Sequence, residues 1–192
     1  MKTLLFVPGF QEDCGSRDYN SVLQVFESCG FKTVFVDINW HRTTQADWVR
    51  QLNKVYDTYD AQEVFLAGFS FGAVTVFLAA AERSPAGLVL CSLSPMFEDD
   101  IERWSAIDHK IVGSRRELEA RGSIFLELAE KISSPVWSFY GEQELARWPD
   151  MRHRSTELKR AFPAGVHTVI PGVGHEVEHS QYRAALCYTR NI

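Results

Sequence analysis

At 192 residues, 45% of them hydrophobic and 23% charged, the chain has the size and composition of one soluble globular domain spanning residues 1–192. A net charge of −5 gives no electrostatic reason to expect nucleic acid or an anionic membrane surface as partner, and no apolar run approaches bilayer-spanning length. Cys14, Cys29, Cys91 and Cys187 are scattered with no C-x-x-C pair, and they read as reduced thiols of a cytoplasmic protein.

The chain starts Met1-Lys2-Thr3-Leu4-Leu5-Phe6-Val7, charged and then apolar, as a signal peptide does. The apolar run is too short and Pro8-Gly9 follows at once, so a buried parallel strand over residues 3–7 is expected instead. The pattern then predicts a helix over 19–28, a strand over 32–38 and a helix over 45–59. A short β-leaning run at 64–67 and an apolar helix at 73–81 enclose Gly68-Phe69-Ser70-Phe71-Gly72. Next come a strand over 87–92, leading to Ser94-Pro95-Met96-Phe97, and an amphipathic helical region from 98 to 131. A strand over 135–140 ends in Gly141-Glu142-Gln143-Glu144, and a helix over 155–161 and a strand over 166–170 follow. The loop Pro171-Gly172-Val173-Gly174-His175 leads into a terminal helix to about residue 189. Six strands alternating with helices predict an α/β fold with three layers, a doubly wound and mainly parallel six-stranded sheet.

The G-x-S-x-G between strand and helix has the order a nucleophile elbow requires. A serine in so tight a turn has almost no lateral room, so the residues two before and two after it must lack side chains. In return its oxygen is lifted clear of the sheet, at a helix amino end that favours a developing anion. With this elbow, the early Val7-Pro8-Gly9-Phe10 loop and the late Gly172-Val173-Gly174-His175, the chain resembles the α/β-hydrolase family in a small form. The resemblance implies a minimal version of that fold, without its two leading antiparallel strands. The stretch 98–131 must supply the ordinary crossover helix, leaving at most a helix or two as a small cap.

A lone serine is a poor nucleophile and needs a base within hydrogen-bond reach and a third group to orient that base. The resemblance implies Ser70 as nucleophile and His175 as base. It also implies an acid just beyond Gly141, where Glu144 has the commoner spacing and Glu142 is the second choice. A third option is Asp99 or Asp100, one strand earlier. The oxyanion hole would use the backbone N–H groups of Phe71 and of Phe10, whose loop carries Pro8 where the family often has His. Met96, Phe97 and Trp104 are expected to wall an apolar acyl pocket beside Phe10 and Phe71.

His175-Glu176-Val177-Glu178-His179 also matches H-E-x-x-H, which on a helix would place two histidines on one face to hold zinc. Only thirteen residues follow His179 and none is His, Asp or Glu, so the downstream third ligand is missing. The function expected is therefore a serine hydrolase acting on a small ester or thioester, with no cofactor and no metal. A binding protein that keeps the fold without activity is the alternative, and a zinc hydrolase a more distant one.

Overall fold

The computed structural model describes residues 2–187. All six expected strands form: β1 (Thr3–Val7), β2 (Lys32–Phe35), β3 (Val64–Phe69), β4 (Gly87–Cys91), β5 (Val136–Gly141) and β6 (Val166–Ile170). They make one sheet of order β2-β1-β3-β4-β5-β6, parallel at every step. The order reverses between β1 and β3. At such a point the connections leave toward opposite faces, and a crevice opens above the carboxyl ends of the strands.

The strand sequences explain the layers. β1, β3 and β4 are buried along their whole length, so both of their faces must be covered. Leu5, Leu66 and Leu88 pack under helices α2 (Gln45–Tyr56) and α3 (Phe71–Glu82), through Trp48, Leu52, Val76 and Phe77. Leu4, Phe6 and Val89 face the other way, onto α1 (Tyr19–Ser28) and the terminal α10 (Ser180–Leu186). α3 is buried on nearly every side, which its apolar sequence permits.

Residues 98–131 are broken into four pieces: α4 (Glu98–Ile101), α5 (Ala106–Val112), α6 (Ser114–Ala120) and α7 (Phe125–Ala129). Ser105 caps α5 with its hydroxyl on the amide of Asp108, and Gly113, at φ 77°, turns the chain from α5 into α6. α7 drives Phe125 into the core, its ring stacked on Phe77 at 5.1 Å. Two expectations shift here. The stretch after β5, read as a loop, is helix α8 (Glu142–Arg147), and α9 (Pro149–Ala161) starts well before residue 155. Pro149 explains the break between them, because it tolerates a first helical turn but not a helical residue before it. The part of the expected terminal helix beyond residue 187 lies outside the described residues.

Candidate active site

The turn after β3 places Ser70 at φ 57° and ψ −118°, a left-handed backbone that a residue with a side chain rarely adopts. Its amide is held by the carbonyl of Cys91 at 2.9 Å, at the end of the neighbouring strand. The two flanking glycines are sterically obligatory. A Cβ on Gly68 would lie 2.3 Å from the carbonyl oxygen of Gly72, and one on Gly72 would lie 2.2 Å from that of Val7. β3, the first turn of α3 and the loop after β1 therefore touch backbone to backbone.

Ser70 Oγ lies 3.0 Å from Nε2 of His175, and Nδ1 of His175 lies 2.5 Å from Oε2 of Glu144. Glu144 is 1% exposed, and its other oxygen accepts from the amide of Gly141 at 2.6 Å and from Ser92 Oγ at 2.7 Å. A carboxylate only accepts, so the proton between it and the ring belongs on Nδ1. Nε2 then carries the lone pair and faces the serine hydroxyl. The imidazole is also gripped from the sides, with Phe69 at 4.6 Å and Trp148 edge-on at 5.7 Å between ring centroids. The loop that carries it is tied to α8, because Gln143 N donates to Val173 O and Gly172 N donates to Glu142 Oε2, each at 2.9 Å.

The alternatives for the acid are thereby separated in space. Glu142 is spent on the amide of Gly172 at the surface. Asp99 and Asp100 face Arg154, whose Nη2 is 2.8 Å from Asp99 Oδ2 and 2.6 Å from Asp100 Oδ1. The H-E-x-x-H motif does not sit on a helix either. Residues 175–179 are not helical, and His179 is the residue that caps α10, its Nδ1 accepting from Gln181 N at 3.3 Å. It lies before that helix rather than one turn into it. Histidines four apart share a face only on a helix, so the pair has lost the geometry that zinc needs. Among the described residues, the group with metal-ligand spacing is Asp99, Asp100 and His153, away from this motif.

Of the expected pocket residues, Met96 and Trp104 line a cavity of about 690 Å³ that reaches Ser94, Phe71 and His175. Phe97 does not. It is wholly buried between Phe77, Phe125 and the guanidinium of Arg154, because the turn into α4 points its ring inward. Ile107 and Ile111 of α5 close the cavity from above, and Trp148 and Met151 from the α9 side. Charge enters the lining at Arg103, Asp108 and Asp150. Burial, and then the neighbouring Asp108, raise the carboxyl of Asp150 above its usual range.

The amides of Phe71 and Phe10 stand where the sequence placed them, at the amino end of α3 and in the loop after β1. Among the described residues neither donates to a protein acceptor. The phenylalanine rings stack on one another at 4.9 Å, and that of Phe10 also packs on Trp40 and Trp48. The Phe10 loop is anchored by Tyr19, whose hydroxyl accepts from Gly9 N at 3.0 Å and donates to Glu12.

No protein-family model matches the sequence, and no curated protein matches it. Solved structures do. Est1E from Butyrivibrio proteoclasticus superposes with a TM-score of 0.82 over 98% of this chain and 86% of that one, at 19% identity. Alpha/beta hydrolase domain-containing protein 10 from mouse gives 0.73 over 98% and 88%, at 15% identity. The thioesterase domain from the curacin biosynthetic pathway gives 0.70 over 100% and 91%, also at 15% identity. The chain has an α/β-hydrolase fold. In this minimal α/β-hydrolase fold β1, the first strand along the chain, lies inside the sheet between β2 and β3 and leads into the loop that carries Phe10.

Sequence reasoning missed three groups of this site. Ser92, at φ 52°, donates to the acid, and Tyr182 stands behind it, the two hydroxyls 3.1 Å apart and that of Tyr182 donating to Phe139 O. Ser94 Oγ lies 3.1 Å from Ser70 Oγ. The signal that could have found Ser94 was its place just past the carboxyl end of the strand beside the elbow strand. The apolar face of α5 was hidden because the amphipathic pattern of residues 98–131 did not show where its short helices begin and end.

Proposed function

We propose that this chain is a serine hydrolase that cleaves a small carboxylic ester or thioester through an acyl-enzyme. The observation that carries the reading is the unbroken hydrogen-bonded line from Ser70 through His175 to a buried Glu144. In the proposed reaction His175 Nε2 takes the Ser70 proton as Oγ attacks the acyl carbon. The carbonyl electrons move onto an oxygen facing the amides of Phe71 and Phe10, and the imidazolium is held by Glu144. His175 then gives its proton to the departing alcohol or thiol. Water repeats the sequence on the acyl-enzyme, releasing the acid and restoring Ser70.

The cavity supports a small substrate with an apolar acyl or aryl part, since Met96, Trp104, Ile107, Ile111 and Trp148 supply most of its wall. Esterases and thioesterases share the fold, which fits either leaving group. None of these steps calls for a metal or an organic cofactor. The cysteines, free among the described residues, fit the cytoplasmic setting expected from their spacing, and no described helix is long and apolar enough to cross a membrane.

A fluorophosphonate probe tests the reading directly. The wild-type chain is expected to label at one serine and to turn over 4-nitrophenyl butyrate, with Ser70→Ala losing both and a metal chelator changing neither. A wild-type chain that takes no label and hydrolyses no neutral ester would make it a binding protein on a hydrolase scaffold.

A further inference from the structure

Ser94 is 5% exposed, lines the cavity and touches the nucleophile, with 3.1 Å between the two hydroxyl oxygens. Counting protons fixes the sense of that contact. Nδ1 carries the ring proton and donates it as a hydrogen bond to Glu144, so Nε2 must accept, and the Ser70 hydroxyl must donate to it. Ser70 has no second proton. Ser94 is therefore the donor to Ser70 Oγ, and no other partner of its hydroxyl is found among the described residues.

The segment that carries Ser94 is held still by its neighbours. Leu93 O accepts from the Tyr140 hydroxyl at 3.2 Å, Pro95 O from Trp104 Nε1 at 2.9 Å and Met96 O from Gln45 Nε2 at 3.1 Å. A hydroxyl fixed this firmly beside a reacting oxygen keeps its position through the reaction cycle.

Acylation removes its partner. Ser70 Oγ becomes an ester oxygen, a much poorer acceptor, and a nearly buried hydroxyl is left without a hydrogen bond. Resting on the serine-hydrolase reading, we propose that Ser94 is a catalytic residue of deacylation, the group that holds the attacking water. That water has two protons to place. One goes to His175 Nε2 as the oxygen forms its bond to the acyl carbon and the carbonyl electrons move to the oxyanion. The other points at Ser94 Oγ, which accepts it as a hydrogen bond without taking the proton. On collapse the bond from the acyl carbon to Ser70 Oγ breaks, and the proton on Nε2 returns to that oxygen. Ser94 neither gains nor loses a proton over the cycle, and its part in the rate is the placement of the attacking water.

The test is pre-steady-state hydrolysis of 4-nitrophenyl butyrate by the wild-type chain, Ser94→Ala and Ser94→Thr, with intact-mass detection of the butyryl-enzyme. For Ser94→Ala, kcat is expected to fall about ten-fold, the scale of one hydrogen bond. kcat/KM, which reports acylation, should change less than about three-fold. KM should fall with kcat, the butyryl adduct should accumulate, and Ser94→Thr, which keeps a hydroxyl, should restore turnover. Full fluorophosphonate labelling of Ser94→Ala would show that fold and nucleophile are intact. The inference is overturned if kcat/KM falls as far as kcat with no adduct, which would make Ser94 only a holder of the Ser70 hydroxyl. It is equally overturned if Ser94→Ala matches the wild type. A wild-type chain with neither labelling nor turnover removes the serine-hydrolase reading and this inference with it, a different and separable result.

Discussion

Ser70 keeps an unfavourable backbone because the surroundings over-determine it. Its amide is bonded to Cys91 O, its oxygen to His175, and glycines stand on either side. At this scale the acid makes the sharpest prediction. Glu144 holds the imidazole while being held by Gly141 N and Ser92 Oγ, whereas Glu142 caps the amide of Gly172 at the surface. Glu144→Gln should therefore lower kcat roughly 10⁴-fold, since the amide favours the wrong tautomer, and Glu142→Gln should change it only a few-fold. Equal losses in side-by-side kinetics would sink the assignment. Glutamate reaches the ring because α8 starts at once after β5 and turns the longer side chain back under His175. The sequence placed both glutamates at the right strand end but could not say which one is buried. Burial there depends on Ser92 and Tyr182, which come from two other parts of the chain.

Among the elements, the elbow and α5 matter most. The elbow was legible because its glycines answer a local steric demand: a methyl group on Gly72 would stand only 2.2 Å from Val7 O. Gly72→Ala should cost at least about 3 kcal/mol in urea unfolding, far more than an ordinary exposed glycine substitution. A loss within experimental error would mean that the loop after β1 does not press against α3. α5 is a short helix whose Ile107 and Ile111 are 67% and 52% exposed yet line the cavity. Replacing both with serine should lower kcat/KM for a hexanoyl ester about ten-fold while leaving an acetyl ester nearly unchanged. A uniform loss would instead show that the helix only supports the fold. α5 was unreadable in advance because its short apolar stripe looks the same whether it covers a core or a cavity.

Across the whole molecule, α4 and α9 are joined by a buried charge pair. Arg154 is fully buried between the rings of Phe97 and Phe125 and meets Asp100, which is equally buried. Removing the cation alone strands a buried carboxylate, so Arg154→Met should destabilise the chain by about 3–5 kcal/mol. Burial pushes the Asp100 carboxyl up to about 6 from its usual 3.8, against the pull of Arg154. Between about pH 4 and 6 the folded chain thus holds a proton that the unfolded chain releases, and above that Asp100 is the carboxylate that Arg154 pairs. This contribution to stability is complete below about pH 4 and is lost as pH rises through about 6. Unfolding free energies of the wild type should show that decline relative to Asp100→Asn, and parallel profiles would refute it. The six strands, the all-round burial of α3 and the tight turn at Ser70 were set by the chain itself, because periodicity and the elbow glycines are local physical demands. Only the folded sheet decided that Glu144 rather than Glu142 meets the imidazole, that His179 caps a helix, and that Phe97 is core. Each depends on which distant side chains arrive at the same place, and no spacing along one polymer records that.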